Sequence, residues 1–151
     1  MGKSVKLGQM PNSPAFSAGR SSSQSVTSGA WTKVQCNTEE FDTTSAYDNA
    51  TNFRFQPTVS GYYQISAGAY ASGSSLSQVI SAIFKNGAVY KYGQPIAYNG
   101  ALELSSNASC LVYLNGSTDY VELFAMVAGT SPALVGNVAL TFFQAAMVRS
   151  A

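Results

Sequence analysis

Three Asn-Gly dipeptides divide the second half of this chain, and each lies between two runs of alternating apolar residues. Asn-Gly supplies the two positive φ angles that a two-residue type I′ hairpin turn requires. The dipeptides are Asn86-Gly87 between QVISAIFK and AVYKYG, Asn99-Gly100 between YGQPIAY and ALELSS, and Asn115-Gly116 between SCLVYL and STDYVELFAMV. We predict three hairpins that join this half into an antiparallel meander or Greek key. Surface loops are the alternative, but they do not account for the flanking runs.

Alternating apolar and polar residues also fill the rest of the chain from Pro14 onward, and no window shows a sustained helical stripe. The predicted strands are Ala15–Gly19, Thr27–Cys36, Phe53–Val59, Tyr62–Ser72, Val79–Lys85, Ala88–Tyr92, Leu102–Ser105, Ser109–Leu114, Asp119–Val127 and Val138–Arg149. About ten short strands in one domain predict an all-β sandwich or barrel. Its sheet edges need cover, which self-association would supply.

The length of 151 residues suits one domain, which we place at residues 14–151. Residues 1–13 show no periodicity and carry only the charges of Lys3 and Lys6, so we predict a flexible N-terminal arm. Charged residues make up 10% of the chain, whereas a soluble domain usually carries about 25%. Such a surface suits a protein that buries part of its exterior against copies of itself or against a scaffold.

The sequence disfavours several kinds of partner. It has no signal-peptide pattern and no apolar run long enough to cross a bilayer, so we expect neither secretion nor membrane contact. Lys3, Lys6 and Arg20 make the first twenty residues basic. Three charges are too few for a nucleic-acid footprint, and an acidic patch on a neighbouring protein is the partner that we expect for them.

The chain contains no His, which excludes Ser-His-Asp and Cys-His catalytic arrangements. We therefore expect a protein that is not an enzyme and uses no cofactor. Cys36 and Cys110 are either one disulfide or two small buried hydrophobes, and we favour free thiols because nothing indicates an oxidising compartment. Two Cys without His do not complete a structural zinc site.

Four carboxylates, those of Glu39, Glu40, Asp42 and Asp48, lie within ten residues and offer oxygen ligands for a weak Ca²⁺ site. A solvated acidic loop is the interpretation that we favour. The tyrosines pose a similar choice. They either stack on sugar rings or, as we favour, pack in the core or around a symmetry axis.

The segment FQPTVSGYYQI, from Phe55 to Ile65, resembles the central part of the C1q-domain signature, in which Phe is followed at fixed spacings by Gly, Tyr and an aromatic residue. Tyr63 and Ile65 are expected to share one face of a strand that follows a turn at Gly61. Upstream, AFSA at 15–18 is similar to the motif that opens C1q domains, and TFFQAAMV at 141–148 looks like their last strand.

This resemblance extends over residues 14–151 and implies an antiparallel jelly-roll sandwich of the C1q/TNF-like kind that assembles as a homotrimer. Its candidates for the trimer interface, or for the core beneath it, are Phe16, Tyr63, Ile65 and Phe143. Collagen-like repeats, which precede this domain in many secreted relatives, do not occur in the sequence.

A bare jelly roll with a short arm is more like the capsid decorations and fibre tips of bacteriophages. We expect a structural virion protein: a decoration (cement) protein that stabilises a phage head, assembles in the host cytoplasm and lies on the virion surface. Its partner would be the major capsid protein, contacted through Lys3 and Lys6. A receptor- or glycan-binding fibre tip and a spore- or cell-surface C1q-like module are the alternatives. Decoration is favoured because thirteen residues, about 40 Å when extended, are too short for a fibre shaft.

Overall fold

The structure is a computed structural model that describes residues 13–151, and all regular secondary structure in that range is β-strand. The strands are β1 (Ala15–Gly19), β2 (Gln24–Ser25), β3 (Trp31–Lys33), β4 (Thr38–Asp42), β5 (Tyr47–Asp48), β6 (Arg54–Phe55), β7 (Gly61–Lys85), β8 (Ala88–Tyr92), β9 (Ile96–Leu114), β10 (Val121–Leu134) and β11 (Phe142–Ser150). Every pairing among them is antiparallel. No helix of the described range is long and apolar enough to cross a membrane.

The long strand β7 connects the two layers of the sandwich. On one side of β7, residues 61–68 pair with β11 and residues 71–85 pair with β10. On the other side, residues 61–79 pair with β9 and residues 82–85 pair with β8. The register with β9 shifts between Ser72 and Leu76, and Ser75 within this interval has a φ of 51°. The irregular segment lets one strand leave the first layer (β4, β1, β11, β7 and β9) and enter the second, which is centred on β10.

The core lies between the two layers and contains a cluster of five aromatic side chains among aliphatic ones. The ring of Phe16 on β1 stacks on Tyr47 at 4.5 Å and on Phe55 at 4.7 Å, while Phe143 meets it edge-on at 5.1 Å. Fully burying one such side chain contributes about 1.5–3 kcal/mol. The alternation predicted from the sequence therefore supplies an apolar interior.

The all-β antiparallel prediction is confirmed, and β1 and β8 have the predicted bounds. Two pairs of predicted strands are each one continuous strand: Tyr62–Ser72 and Val79–Lys85 within β7, and Leu102–Ser105 and Ser109–Leu114 within β9. Polar segments separate the apolar runs, but each strand continues across them because its backbone groups still pair with neighbouring strands, with an irregularity at Ser75 of β7.

The prediction missed three short strands, β2, β4 and β5. β4 reads TEEFD and is largely exposed, so it lacks the alternation that marks a half-buried strand. It forms because its backbone pairs with β1, whose opposite edge pairs with β11. Long-range pairing has overridden weak local preference here.

The hairpin predicted at Asn86-Gly87 is confirmed. The two residues have φ angles of 53° and 80°, and they connect Lys85 to Ala88, which are direct cross-strand partners. Both positive values are those that a type I′ turn requires.

The other two predicted hairpins are wrong. Asn99-Gly100 lies inside β9, where the register on β7 passes from Ala97 to Ala101 and leaves the dipeptide in a bulge. Asn115-Gly116 does form a turn, but in the described range β9 and β10 each pair with β7 and not with each other. The glycines of both dipeptides do have the positive φ angles expected of them, 79° at Gly100 and 71° at Gly116, but neither dipeptide forms a hairpin.

Gly61 does not make the expected turn. It is the buried first residue of β7, and a Cβ added there would lie 2.5 Å from the carbonyl oxygen of Arg149 on β11. Close packing between the first and last long strands therefore requires glycine at this position.

Candidate self-association face

The first layer of the sandwich has one surface in the core and one surface turned outward, and we call the second the outer face. Two cross-strand rows define it, since residues in register on neighbouring strands share a side. The rows are Phe41, Ser17, Gln144, Ser66 and Ser109, and Ala15, Ala146, Gln64 and Leu111. Neither row contains an acidic or basic residue.

Large apolar side chains stand on or beside these rows and are open to solvent in the single chain. Phe41 is 52% exposed, Leu111 52% and Val148 50%, and the exposed rings of Tyr62 and Tyr113 lie at one end. Several exposed large apolar side chains on a surface with few charges are typical of protein–protein contact surfaces. The outer face thus has the chemistry of an interface.

The outer face also contains two depressions. Small side chains at Ala15, Ala146 and Ser66 leave a depression of about 210 Å³ beside the ring of Phe41. A larger depression of about 530 Å³ lies beside Leu111, Tyr62 and Val148. A partner surface can therefore insert side chains into the outer face rather than rest on it.

Charged groups at the rim of the outer face are held by hydrogen bonds. The hydroxyl of Ser17 donates to a carboxylate oxygen of Glu40 at 2.6 Å. The hydroxyl of Tyr70 donates to Glu103 at 2.8 Å, which raises the pKa of Tyr70. Phe41 and Leu111 lie on the flanking strands β4 and β9, and the residues between them on β1, β11 and β7 are uncharged.

The four residues predicted for the interface or the core, Phe16, Tyr63, Ile65 and Phe143, lie inside the sandwich, each at most 1% exposed. Burial raises the pKa of Tyr63 to about 12, and its hydroxyl donates to the carbonyl oxygen of Val59 at 2.7 Å. They underlie the outer face rather than form it.

The predicted acidic cluster is not gathered into a metal site. No group of three or more potential His, Cys, Asp or Glu ligands occurs within residues 13–151. Asp42 accepts hydrogen bonds from the backbone nitrogens of Thr44 and Tyr47, at 3.1 and 2.7 Å. Glu39 and Glu40 are exposed on β4.

Asp48 organises its own turn. Its carboxylate accepts hydrogen bonds from the backbone nitrogens of Thr51 at 2.8 Å, Ala50 at 3.0 Å and Asn52 at 3.0 Å, and from the Asn52 side chain. These bonds favour the ionised form and lower the pKa of Asp48 to about 2. The acidic cluster acts in local loop structure.

Arg20, one of the three basic residues among the first twenty, is buried at 7% exposure. Its guanidinium donates to the carbonyl oxygens of Gln35 at 2.6 Å and Ser23 at 3.2 Å, so the expectation that it faces a partner is wrong. Lys3 and Lys6 lie outside the described residues.

Cys36 is buried and Cys110 is half-buried, and both are free thiols. Burial raises the pKa of Cys36 to about 12 and that of Cys110 to about 11. Both groups are thus held in the unreactive thiol form at neutral pH.

A second aromatic cluster lies on the outward side of the second layer. Trp31 on β3 is 5.8 Å from both Phe84 and Tyr92, measured between ring centroids, and Phe84 stacks on Phe124 at 4.0 Å. Tyr92 is 62% exposed. Lys33 forms an ion pair with Glu122 beside the cluster and lies over the ring of Phe124. We call this group the aromatic ledge.

The sequence motifs indicated the residues buried beneath the outer face but not its exposed members, such as Leu111 and Val148. Period-two alternation contained the signal, because residues that flank Tyr63 and Ile65 point to the opposite side. What was missing was the order of the strands, which decides that Phe41, Ser17 and Ser66 share one surface.

Comparison with solved structures places the fold in a known class, the C1q/TNF-like jelly rolls. No family model and no curated protein sequence matches the chain. The structure of the globular domain of zebrafish complement 1qA protein is similar over 91% of this chain and 99% of that chain, with a TM-score of 0.68 and 15% sequence identity.

Murine APRIL at pH 5.0 matches with a TM-score of 0.70 and 8% identity, over 91% of this chain and 100% of that one. The Eiger TNF from S. frugiperda matches with a TM-score of 0.65 and 12% identity, over 92% and 93%. At these identities the likeness shows the fold, and it confirms the C1q/TNF-like jelly roll that the sequence motifs implied.

Proposed function

We propose that this protein is a non-enzymatic structural subunit that assembles as a homotrimer and decorates a phage head as a cement protein. The outer face carries the proposal. It presents exposed Phe41, Leu111 and Val148, with Glu40 and Arg149 as nearby charges, and covering the apolar side chains with a partner is stabilising.

A second copy of the chain is the partner that we favour for the outer face. The C1q-like framework implies a threefold assembly, and a contact between different surfaces of identical subunits closes into a ring when its rotation fits. In such a ring the outer face of one subunit contacts a different surface of the next subunit, and that surface can include an open sheet edge, which needs cover.

Attachment to a particle is supported by the composition and by the predicted arm. Only 10% of the residues are charged, which suits a subunit with a large contact area. Three arms on one trimer bind multivalently, with a gain of about 10²–10⁴-fold over one arm. We assign the capsid contact to the arm residues Lys3 and Lys6.

The experiment for this role is cryo-electron microscopy of particles with and without the protein. We expect trimeric density with a jelly-roll envelope on the outer capsid surface, and particles lacking the protein should open at lower temperature. Density confined to a tail or fibre would contradict decoration. If the protein is found nowhere on intact particles, a virion role is contradicted altogether.

A glycan-binding fibre tip is the second candidate, and the aromatic ledge favours it. Exposed aromatic rings stack on the apolar faces of sugar rings, and Trp31 with Tyr92 offers two adjacent rings. The ledge lies on the layer opposite the outer face, so trimer formation through the outer face leaves it accessible. Three copies would then bind a surface glycan multivalently.

Quenching of Trp31 fluorescence by mono- and oligosaccharides tests the glycan role, since Trp31 is the single tryptophan of the chain. Under the fibre-tip hypothesis, a saccharide changes the signal and Tyr92→Ala abolishes the change. Tyr98→Ala is the matched control, because Tyr98 is similarly exposed but lies outside the ledge. If no saccharide in a glycan panel changes the Trp31 fluorescence, the aromatic ledge serves only to pack the second layer.

A further inference from the structure

The three Asn-Gly dipeptides differ sharply in how the fold holds them. Asn-Gly is the sequence most prone to spontaneous deamidation, because glycine leaves its backbone nitrogen free to approach the preceding side chain. The reaction needs a mobile Asn side chain and an unhindered glycine nitrogen. The structure therefore predicts which of the three pairs reacts.

Asn86 is fixed on both sides of its amide. Its Nδ2 donates to Asp119 at 2.8 Å, and its Oδ1 accepts from the backbone nitrogen of Tyr120 at 3.0 Å. The backbone nitrogen of Asn86 also donates to the carbonyl oxygen of Tyr120 at 3.1 Å. These bonds must break before the side-chain carbonyl can turn toward Gly87.

Asn115 is held still more firmly. Its Oδ1 accepts from the backbone nitrogens of Ser117, Thr118 and Asp119, each at 3.0 Å, and its Nδ2 donates to the hydroxyl of Thr118 at 2.9 Å. Gly116 is also packed tightly, since a Cβ added there would lie 2.4 Å from the backbone nitrogen of Ser60. Neither the Asn115 side chain nor the backbone of Gly116 can therefore move freely.

Asn99-Gly100 has none of these restraints among the described residues. Both residues are exposed, they lie in the bulge of β9, and the Asn99 side chain makes no hydrogen bond within residues 13–151. A Cβ added at Gly100 would meet no atom within 4 Å. The backbone here can adjust without disturbing a packed neighbour.

We propose that Asn99 is the site of spontaneous deamidation in this protein, through a succinimide formed with Gly100. The backbone nitrogen of Gly100 loses its proton and attacks Cγ of Asn99. A new C–N bond forms, the Cγ–Nδ2 bond breaks, and Nδ2 leaves as ammonia after taking up a proton. Water then opens the ring to aspartate or isoaspartate, with no change in oxidation state.

The product places a new carboxylate between Tyr98 and Leu102, two of the most exposed large apolar side chains of the described range. Isoaspartate also lengthens the backbone by one methylene, which the bulge can accommodate. The reaction thus alters the charge of the β9 edge while the paired part of the strand stays intact.

Peptide mapping by mass spectrometry, after incubation of the full-length protein in mildly alkaline buffer, tests the proposal. We expect Asn99 to deamidate at least about tenfold faster than Asn86 or Asn115, as restraint by about 1.4 kcal/mol of hydrogen bonding would produce. In concentrated urea the three rates should converge, because the restraints are lost. Asn99→Gln should remove the fast product and leave the other two sites slow.

Equal rates at the three sites in the folded protein, or a faster reaction at Asn86 or Asn115, would overturn the assignment. A rate at Asn99 that rises strongly in urea would also overturn it, because it would show that the fold protects this bulge.

Discussion

Tyr62 on β7 and Tyr113 on β9 are direct cross-strand partners whose rings lie 5.5 Å apart at the outward end of the first layer. Both rings are exposed, although Tyr63, the next residue along β7, is fully buried. The adjacent residues Tyr62 and Tyr63 therefore mark the boundary between the outer face and the core. Two large aromatic side chains therefore stand in solvent on the outside of the single chain.

Introducing a charge into the outer face should dissociate the assembly without unfolding the chain. Leu111→Asp places an unpaired carboxylate where a partner would exclude water, and burying such a group costs several kcal/mol. We expect a monomer by light scattering, with unchanged far-ultraviolet circular dichroism. The matched control is Leu140→Asp, because Leu140 is also exposed, at 39%, but lies outside the two rows. The Leu140→Asp protein should stay assembled. A Leu111→Asp protein of wild-type mass would exclude the outer face.

Truncating the core beneath the outer face should lower the stability of the protomer itself. Phe143→Ala removes a fully buried ring that contacts Phe16 at 5.1 Å, and we expect a loss of about 3–5 kcal/mol. Tyr63→Phe removes only the hydrogen bond to Val59 and should cost about 0.5–1.5 kcal/mol. Urea unfolding measures both. A Phe143→Ala midpoint equal to the wild-type value would show that the interior packs differently.

Acid should weaken the turn that Asp48 organises. Its pKa is lowered from the ordinary 3.8 to about 2 by backbone hydrogen bonds, so the folded state favours the carboxylate. The stabilisation is present above the unfolded pKa and is lost as the pH falls from about 4 toward 2. Asp48→Asn should flatten the pH dependence of the urea midpoint in this window. Glu39→Gln, which removes an exposed acid on β4, is the control. An equal flattening by Glu39→Gln would contradict a specific role for Asp48.

The two thiols should differ in alkylation rate. Burial raises the pKa of both, to about 12 for Cys36 and about 11 for Cys110, and Cys36 is also the less accessible. Iodoacetamide should therefore modify Cys110 first in the native protein and both residues after denaturation without a reductant. Failure of the denatured chain to take up two labels would indicate a disulfide.

Removal of residues 1–13 should release the protein from particles while the trimer stays folded. Lys3→Glu with Lys6→Glu should weaken attachment more at low salt than at high salt, because salt screens exposed charges. Co-sedimentation with capsids measures both effects. Full occupancy by the truncated protein would show that the globular domain is the anchor.

The sequence predicted the fold class because local signals agreed with the final structure. The alternation around Tyr63 and Ile65 predicted that they share one face of a strand, and both are buried in the structure, while the Asn86-Gly87 turn formed as expected. The bulge at Asn99-Gly100 could not be foreseen, because its strand pairing is decided by β7, about twenty residues away along the chain. The outer face depends on the strand order β4-β1-β11-β7, which local sequence does not encode.

The native mass of the wild-type protein at micromolar concentration tests the central claim most directly. If other copies of the chain cover the outer face, native mass spectrometry should show a species of three chains, and light scattering should give the same stoichiometry. A single chain at that concentration would contradict the homotrimer and leave the outer face exposed in solution.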